Sequence, residues 1–272
     1  MITLMTDFGT DSPYVAAMKA AIYERLPAAT VIDLTHAIAP QNIGQGAFVW
    51  YDFTRTFPAG TAHLAVVDPG VGGRRRIIAA RYRDQFRVCP DNGLLTFFTW
   101  DDEPDELVEI TNPAYWRPVV SPTFHGRDIM APVAAAIASG VSLSELGTPC
   151  GIDSGHYVPP ERLSVSLPIF EEKQWQLEAL FADHFGNLLL NATMAMLPKN
   201  SLSRFERNTS AAIRVESQSY SAMFAQTYAG LQEGTFVLLE SSSGRLELAS
   251  VKGNASRQLT LDEGGRVTVT LG

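Results

Sequence analysis

The sequence predicts an α/β fold in two parts, and three observations support this prediction. Short apolar runs alternate with segments of helical periodicity in the first third of the chain, which is typical of a parallel sheet flanked by helices. A stretch rich in Gly, Pro and Ser follows at 151–164, and beyond it short apolar runs are separated by glycine-containing turns. We therefore predict an N-terminal Rossmann-like domain with a mostly parallel sheet over 1–155. A smaller C-terminal domain, mainly β and barrel-like, is predicted over 163–272.

The N-terminal elements follow from hydrophobic periodicity. The first helix is expected to follow Asp11 or Ser12 as its cap, with Pro13 in its first turn and with apolar residues from Tyr14 to Leu26 at helical spacing. The predicted strands lie at 2–5, 30–34, 64–67, 77–82 and 86–89, and further predicted helices lie at 43–57 and 127–139.

The positions of two aspartates make them candidate ligand-binding residues. Asp7 and Asp68 each follow a predicted strand, and open α/β sheets bind ligands beyond the carboxyl ends of their strands. In the second domain the expected strands lie at 177–182, 188–190, 211–215, 236–239, 246–249 and 267–271.

Composition excludes several functional classes. The net charge of −8 over 272 residues argues against nucleic-acid binding, which needs clustered positive charge. Cys89 and Cys150 are too few for a disulfide framework and lack zinc-ligand spacing, and His36, His63 and His156 are not spaced like metal ligands. The chain shows neither a signal peptide nor an apolar run of about 20 residues. We expect a cytoplasmic protein without a membrane or nucleic-acid partner and without a bound metal.

Two loops carry the densest chemical signals, and each has an ordinary structural explanation. The glycine-rich loop after Val67 leads into an apparent strand at 77–80 rather than a helix, so a phosphate-binding loop is not predicted. Its arginines 74–76 are on local grounds equally compatible with a solvated charge cluster. His125 precedes an alanine-rich helix, where the helix N-terminus favours anions, although a hydrogen-bonded core histidine is the commoner case. The turns at 183–187 and 241–249 are, taken alone, ordinary connections between strands.

Six motifs, taken in order along nearly the whole chain, resemble one family: the S-adenosylmethionine (SAM) hydroxide adenosyltransferases, also known as DUF62, whose relatives include the fluorinase and chlorinase. Each motif is weak alone, but six in the same order are specific. They are Thr6-Asp7-Phe8-Gly9, Val67-Asp68-Pro69-Gly70-Val71-Gly72, Pro90-Asp91-Asn92-Gly93-Leu94-Leu95, Phe124-His125-Gly126-Arg127-Asp128, Asp183-His184-Phe185-Gly186-Asn187 and Gly244-Arg245-Leu246-Glu247.

The resemblance implies hydrolysis of SAM, as substrate and not cofactor, to adenosine and L-methionine by water or hydroxide attack at the ribose C5′. It implies Asp68, Arg75 and His125 as the catalytic residues; Arg75 matches by its distance from Asp68, and Arg74 and Arg76 remain alternatives. It also implies a homotrimer with sites between subunits. The substrate-binding residues it implies are Asp7, Phe8, Thr123, Phe124, Asp183, Phe185, Asn187, Tyr228, Ser242, Glu247, Asn254 and Ala255.

Two other functions are compatible with the same resemblance. One is halide-dependent adenosyl transfer, as in the halogenases, which lack the Asp and the His; Gly126 also replaces a serine that helps to hold fluoride there, although that position varies. The second is a non-catalytic protein that binds SAM or adenosine. The retained Asp68 and His125 favour water as the nucleophile. A methyltransferase is disfavoured, because the glycine loop and the strand after it do not fit that family's cofactor loop.

Overall fold

A computed structural model describes residues 1–155 and 157–272, so His156 lies outside the described residues. The chain divides into two compact units, which we call the N-terminal unit (Met1–Leu163) and the C-terminal unit (Ser164–Gly272).

The N-terminal unit is built on a seven-stranded sheet in the order β2-β1-β3-β5-β4-β6-β7. The first four of these strands run parallel, and the other contacts are antiparallel. The strands are β1 (Ile2–Thr6), β2 (Val31–Thr35), β3 (Ala62–Val66), β4 (Ile77–Tyr82), β5 (Gln85–Pro90), β6 (Glu106–Ile110) and β7 (Gly147–Pro149). The helices are α1 (Tyr14–Arg25), α2 (Ile43–Thr54), α3 (Phe98–Asp101) and α4 (Ala131–Ala138). The predicted α/β class with a mostly parallel sheet is confirmed.

Burial on both faces explains the sequence character of the central strands. Every residue of β1 and β3 is buried, which is why these strands read as continuous apolar runs instead of alternating patterns. Helix α4 packs against α1 and β3, and its small side chains allow a close approach to both. The core of this unit is therefore a parallel sheet pressed between helices.

The predicted cap of α1 is wrong. Neither Asp11 nor Ser12 caps α1; Ser12 Oγ donates to the carbonyl of Phe8 at 3.0 Å, and the carbonyl of Pro13 accepts from Ala17 N at 3.0 Å. Pro13 thus occupies the cap position itself. The alanine-rich helix predicted at 127–139 is present, and its first turn is a π-helical turn (Gly126–Met130) that leads into α4. Such turns are rare and frequently lie at functional sites.

The C-terminal unit contains a closed barrel of seven strands, in the ring order β9-β10-β14-β13-β12-β11-β15, with β8 added at the outer side of β9. The predicted barrel is confirmed. Its strands are β8 (Ile169–Phe170), β9 (Gln174–Ala182), β10 (Leu188–Thr193), β11 (Ser210–Val215), β12 (Gln218–Phe224), β13 (Phe236–Glu240), β14 (Arg245–Ser250) and β15 (Arg266–Leu271), and its short helices are α5 (Leu202–Glu206) and α6 (Ala255–Leu259).

The prediction missed β12, whose polar first half does not read as a strand. The hairpin that joins it to β11 turns through Glu216, which has a φ of +51°. Most residues avoid this left-handed region, and turn prediction looks for Gly or Asn there. Without β12 the barrel could not close, because β12 is the neighbour of both β11 and β13.

Candidate active site

A cleft of about 450 Å³ opens at the carboxyl edge of the N-terminal sheet. Strands β1 and β3 are parallel neighbours, with Thr6 opposite Val66, so the loops that follow them leave the sheet side by side. Asp7 and Asp68, one from each loop, both line the cleft. The segment before α4, the first residue of α1 and the loop after β2 supply the remaining walls. The lining residues are Asp7, Phe8, Tyr14, Pro40, Gln41, Val66, Asp68, Pro69, Val71, Thr123, Phe124, His125 and Gly126.

Asp68, Arg75 and His125 lie in direct contact at this cleft. Arg75 donates from Nε to Asp68 Oδ1 at 3.0 Å and from Nη2 to Asp68 Oδ2 at 2.5 Å. The same Nη2 lies 3.0 Å from His125 Nδ1. The side chains of Arg75 and Asp68 are 11% and 4% exposed, so this ion pair is poorly screened by solvent. The guanidinium thus bridges the carboxylate and the imidazole.

This contact determines the protonation of His125. A guanidinium has donors only, so Nδ1 must accept the hydrogen bond and the proton of a neutral ring sits on Nε2. The pKa of His125 is lowered from its usual value of 6.5, because burial disfavours the imidazolium and the positive charge of Arg75 repels it. At neutral pH the site therefore holds a neutral imidazole that presents an Nε2–H donor.

The structure distinguishes the three consecutive arginines. Arg76 forms an ion pair with Asp91 at 2.6 Å and donates to the carbonyl of Pro159 at 2.8 Å. It therefore links the turn after β5 to the segment near the end of the N-terminal unit. Arg74 is exposed. Arg75 alone of the three contacts both Asp68 and His125.

A close backbone contact at Gly72 sets the distance between the two loops that carry these residues. Gly72 has a φ of +77°, and a Cβ there would lie only 2.4 Å from the carbonyl oxygen of Pro122. Within the loop before α4, the fully buried carboxylate of Asp128 accepts from Ser121 N at 2.9 Å and from Arg127 Nε at 2.7 Å. The loop before α4 is thus held from within by Asp128 and packed against the glycine loop at Gly72.

An aromatic wall lines the same cleft as Asp68 and His125. Phe8, Tyr14 and Phe124 meet edge to face in all three pairs, with ring centroids 5.5–5.9 Å apart. Tyr14 was not among the predicted site residues; only its helical spacing with the apolar face of α1 marked it. Gln41 was missed as well, and its backbone N–H donates to Asp7 Oδ2 at 2.8 Å. The cleft therefore combines an aromatic wall with a half-buried carboxylate.

In the C-terminal unit, several predicted site residues belong to two turns in mutual contact. Asp183 accepts from Phe185 N at 2.8 Å and from Asn187 N at 2.9 Å. Asn254 caps α6 by accepting from Arg257 N at 2.8 Å. A Cβ at Gly186 would lie 2.1 Å from Asn254 Cγ, so the two turns pack tightly. These contacts rigidify the turns and leave the ring of Phe185 71% exposed.

Other residues predicted in this unit lie on or beside the barrel strands. Tyr228 donates a short hydrogen bond to Glu247 on β14. Burial and the nearby negative charge of Asp183 raise the pKa of Glu247, although the Tyr228 hydrogen bond lowers it in part. Ser242 is exposed in the turn between β13 and β14, and Ala255, the first residue of α6, is fully buried. Because the side chain of Ala255 is a methyl group, only its backbone can offer polar groups.

Comparison with protein-family models assigns both units. The model described as the SAM hydroxide adenosyltransferase N-terminal domain matches residues 2–147, and the model for the C-terminal domain matches residues 177–268. The chain belongs to the SAM hydroxide adenosyltransferase family. Similar curated proteins bear the name (R)-S-adenosyl-L-methionine hydrolase. The one from Salinispora arenicola is 37% identical, over 100% of this chain and 98% of the relative; the one from Thermus thermophilus is 34% identical, over 97% and 96%.

More distant and structural relatives agree with this membership. A fluorinase from an Actinoplanes species is 26% identical, over 73% of this chain and 74% of the relative. The crystal structure of an uncharacterised conserved protein from Thermotoga maritima superposes with a TM-score of 0.92 at 33% identity, covering 99% of this chain and 100% of that one.

Among the described residues of this family member, no three His, Cys, Asp or Glu side chains are grouped to hold a metal ion. No helix within the described residues has both the length and the apolar character to cross a membrane.

The tight packing of Gly126 gives a prediction about stability. A Cβ at this position would lie 3.2 Å from Val66 Cγ1 and 3.5 Å from Met18 Sδ, so Gly126→Ser must displace buried side chains. We expect a loss of about 1–2 kcal/mol in the free energy of unfolding, measured by urea denaturation. Val66→Ala makes room for the serine side chain. The double variant should therefore lose less free energy of unfolding than the sum of the losses in the two single variants. Strict additivity would contradict the packing argument.

Proposed function

We propose that this protein hydrolyses S-adenosyl-L-methionine to adenosine and L-methionine. The observation that carries the proposal is the contact of Asp68, Arg75 and His125 at the edge of a cleft large enough for a nucleoside. Four curated relatives named (R)-S-adenosyl-L-methionine hydrolase, 32–37% identical over nearly the whole chain, support the same reaction.

The proposed chemistry is a displacement at the ribose C5′. The oxygen of a water molecule bonds to C5′ while the C5′–S bond breaks, its electron pair returns to sulfur, and one proton is released to solvent. The sulfonium makes carbon electrophilic and methionine a good leaving group, so the site must mainly hold and polarise the nucleophile. The Nε2–H of His125 and the guanidinium of Arg75 are donors that stabilise hydroxide character on the oxygen, and Asp68 fixes the guanidinium.

The tautomer of His125 argues against a simple general-base role. Its Nδ1 accepts from Arg75 and its Nε2 carries the proton, so the ring cannot take a further proton without giving up the Arg75 contact. We therefore assign His125 to orienting and stabilising the nucleophile, with positioning in line with the scissile bond as the larger contribution.

We propose that the remaining predicted residues hold the substrate. Asp7 would accept hydrogen bonds from the ribose hydroxyls, with Phe8, Thr123 and Phe124 lining the ribose pocket. Asp183 and Ser242 would bind the ammonium and carboxylate of the methionine portion. The adenine would contact the following residues: Phe185, Asn187, Tyr228, Glu247, Asn254 and Ala255. The exposed ring of Phe185 is suited to stacking on a base.

An isotope experiment tests the reaction and the position of attack together. The pure protein is incubated with SAM in H₂¹⁸O without halide, and the products are analysed by chromatography and mass spectrometry. We expect adenosine labelled at the 5′ oxygen, and unlabelled methionine. A halogenated nucleoside formed only when halide is added would instead establish halide-dependent transfer. Tight binding without any product would show a non-catalytic SAM-binding protein.

We also propose a cytoplasmic location, which is consistent with the free thiols of Cys89 and Cys150. As the family resemblance implies, we further propose a homotrimer whose sites combine residues of neighbouring subunits. Sedimentation equilibrium should give three times the chain mass of 29.6 kDa. Mixing subunits with His125→Ala and subunits with Phe185→Asp should restore about a quarter of the sites if each site draws these residues from different subunits. No recovery after subunit exchange would contradict shared sites.

The lowered pKa of His125 predicts the pH dependence of turnover. Protonation would place a second positive charge beside Arg75 and remove the acceptor at Nδ1, so activity should fall as the pH drops through the His125 pKa, which lies below 6.5. Between pH 7 and about pH 9, kcat should stay level, because the neutral ring predominates. A pH profile of kcat checks this; a rise in activity on acidification through pH 6 would contradict the neutral-imidazole role.

A further inference from the structure

A second cavity, of about 480 Å³, lies at the opposite edge of the N-terminal sheet and plays no part in the proposed reaction. Arg87 on β5 lines it and stands opposite His63 on β3, near the amino ends of the two parallel strands. The lining residues are Tyr51, Arg55, Phe57, Ala59, Tyr82, Arg83, Asp84, Gln85, Arg87, Phe98, Asp102, Glu103 and Asp105.

Arg87 is a buried cation without an anionic partner among the described residues. It is only 2% exposed, and its Nη2 donates to Gln85 Oε1 at 3.0 Å. Its Nε and Nη1 are buried and have no hydrogen-bond partner. The guanidinium carbon lies 4.0 Å from the ring centroid of Phe98. This cation–π contact stabilises the guanidinium, but the ring carries no net negative charge. Burial lowers the pKa of Arg87 only to about 10, so the side chain stays charged at neutral pH.

The neighbouring groups offer no compensation either. His63 is fully buried; its Nδ1 contacts Thr3 Oγ1 at 2.7 Å, and its Nε2 has no partner. Burial and the charge of Arg87 lower the pKa of His63 to about 3, against a smaller opposing effect of the Gln85 side chain, so His63 is neutral. The hydroxyl of Tyr82 is also buried without a partner. Buried charges are normally paired and buried polar groups hydrogen-bonded, so unsatisfied donors beside one cavity point to a missing acceptor.

We propose that this cavity is a binding site for a small monocarboxylate, whose oxygens accept hydrogen bonds from the guanidinium of Arg87. A carboxylate matches a guanidinium in shape and charge. Four acidic side chains line the cavity together with Arg87, Arg55 and Arg83. Their negative charge disfavours a doubly charged phosphate more than a singly charged carboxylate.

Acetate binding to the full-length protein tests the proposal. We expect saturable binding with a millimolar Kd in saturation-transfer NMR at constant ionic strength. Arg87→Met, which keeps the bulk and removes the charge, should weaken binding at least tenfold. Inorganic phosphate should compete at least tenfold more weakly than acetate. Absence of acetate binding to the wild-type protein, equal binding to Arg87→Met, or tighter competition by phosphate would each overturn the proposal.

A second variant keeps the test valid if Arg87→Met does not fold. Ala59 is exposed and lines the cavity, so Ala59→Trp should obstruct it while Arg87 is retained, and acetate binding should again weaken. His125→Ala should bind acetate as the wild-type protein does, because His125 lies at the other edge of the sheet. Loss of acetate binding in His125→Ala would place the acetate in the catalytic cleft and overturn the proposal.

Discussion

Replacing Arg75 with methionine should lower kcat for SAM hydrolysis by about 10²–10³-fold, because it removes a preorganised donor from the nucleophile. The change also deletes the hydrogen bond to His125 Nδ1 and leaves Asp68, 4% exposed, without its partner. An uncompensated buried carboxylate costs about 3–5 kcal/mol. Steady-state kinetics and thermal unfolding of the same preparation measure both effects.

Arg74→Met is the matched control, since it removes the same charge from an exposed adjacent position. Its kcat should stay within about twofold of the wild-type value, as is usual for surface substitutions. Added guanidinium ion should restore part of the turnover of an Arg75→Ala variant, because it can occupy the vacated position. Equal losses in Arg74→Met and Arg75→Met would show that general positive charge matters and not the contact with Asp68 and His125.

Gly72→Ala should be nearly as damaging to turnover, although Gly72 carries no functional group. Its new Cβ would lie 2.4 Å from the carbonyl oxygen of Pro122, so the loop with Asp68 and Arg75 must move away from the loop with His125. A displacement of about 1 Å within a catalytic group can cost about 10²-fold in rate. We expect kcat to fall by this order, measured together with the free energy of unfolding.

Gly60→Ala separates backbone strain from the collision. Gly60 has a φ of +78°, but a Cβ there would meet nothing within 4 Å, so its substitution carries only the left-handed strain of about 1–2 kcal/mol. Gly60→Ala should therefore lose stability and keep kcat. If Gly72→Ala resembled Gly60→Ala in both measurements, the loop contact would not set the position of Asp68 and Arg75 relative to His125.

The sequence predicted those elements whose signals are local. The buried strands β1 and β3 are apolar runs bounded by polar loops, and the positions of Asp7 and Asp68 after them followed directly. Strand β12 was missed because its residues read as polar and its turn at Glu216 lacks the usual glycine. The cap of α1 was misassigned because Ser12 Oγ donates to the carbonyl of Phe8, four residues earlier, instead of accepting from a backbone N–H of the helix.

The candidate site depends on contacts that no spacing reveals. Asp68 and Arg75 are seven residues apart, but His125 lies 50 positions beyond Arg75, and local patterns could not join them or choose among three consecutive arginines. The resemblance of ordered motifs supplied that link for the sequence. The buried Arg87 gave no signal at all, because an arginine in a short strand looks like an ordinary surface residue until its burial is known.

The parallel arrangement of β1, β3 and β5 has a further consequence for how the N-terminal unit divides its tasks. His63 and Asp68 are five positions apart along one extended chain, which at about 3.3 Å per residue separates them by about 17 Å. Over this distance no side chain at one edge of the sheet can form a hydrogen bond with a group at the other edge. The sheet therefore carries two separate sites, and a substitution at Arg87 should leave the hydrogen bond between Arg75 and His125 in place.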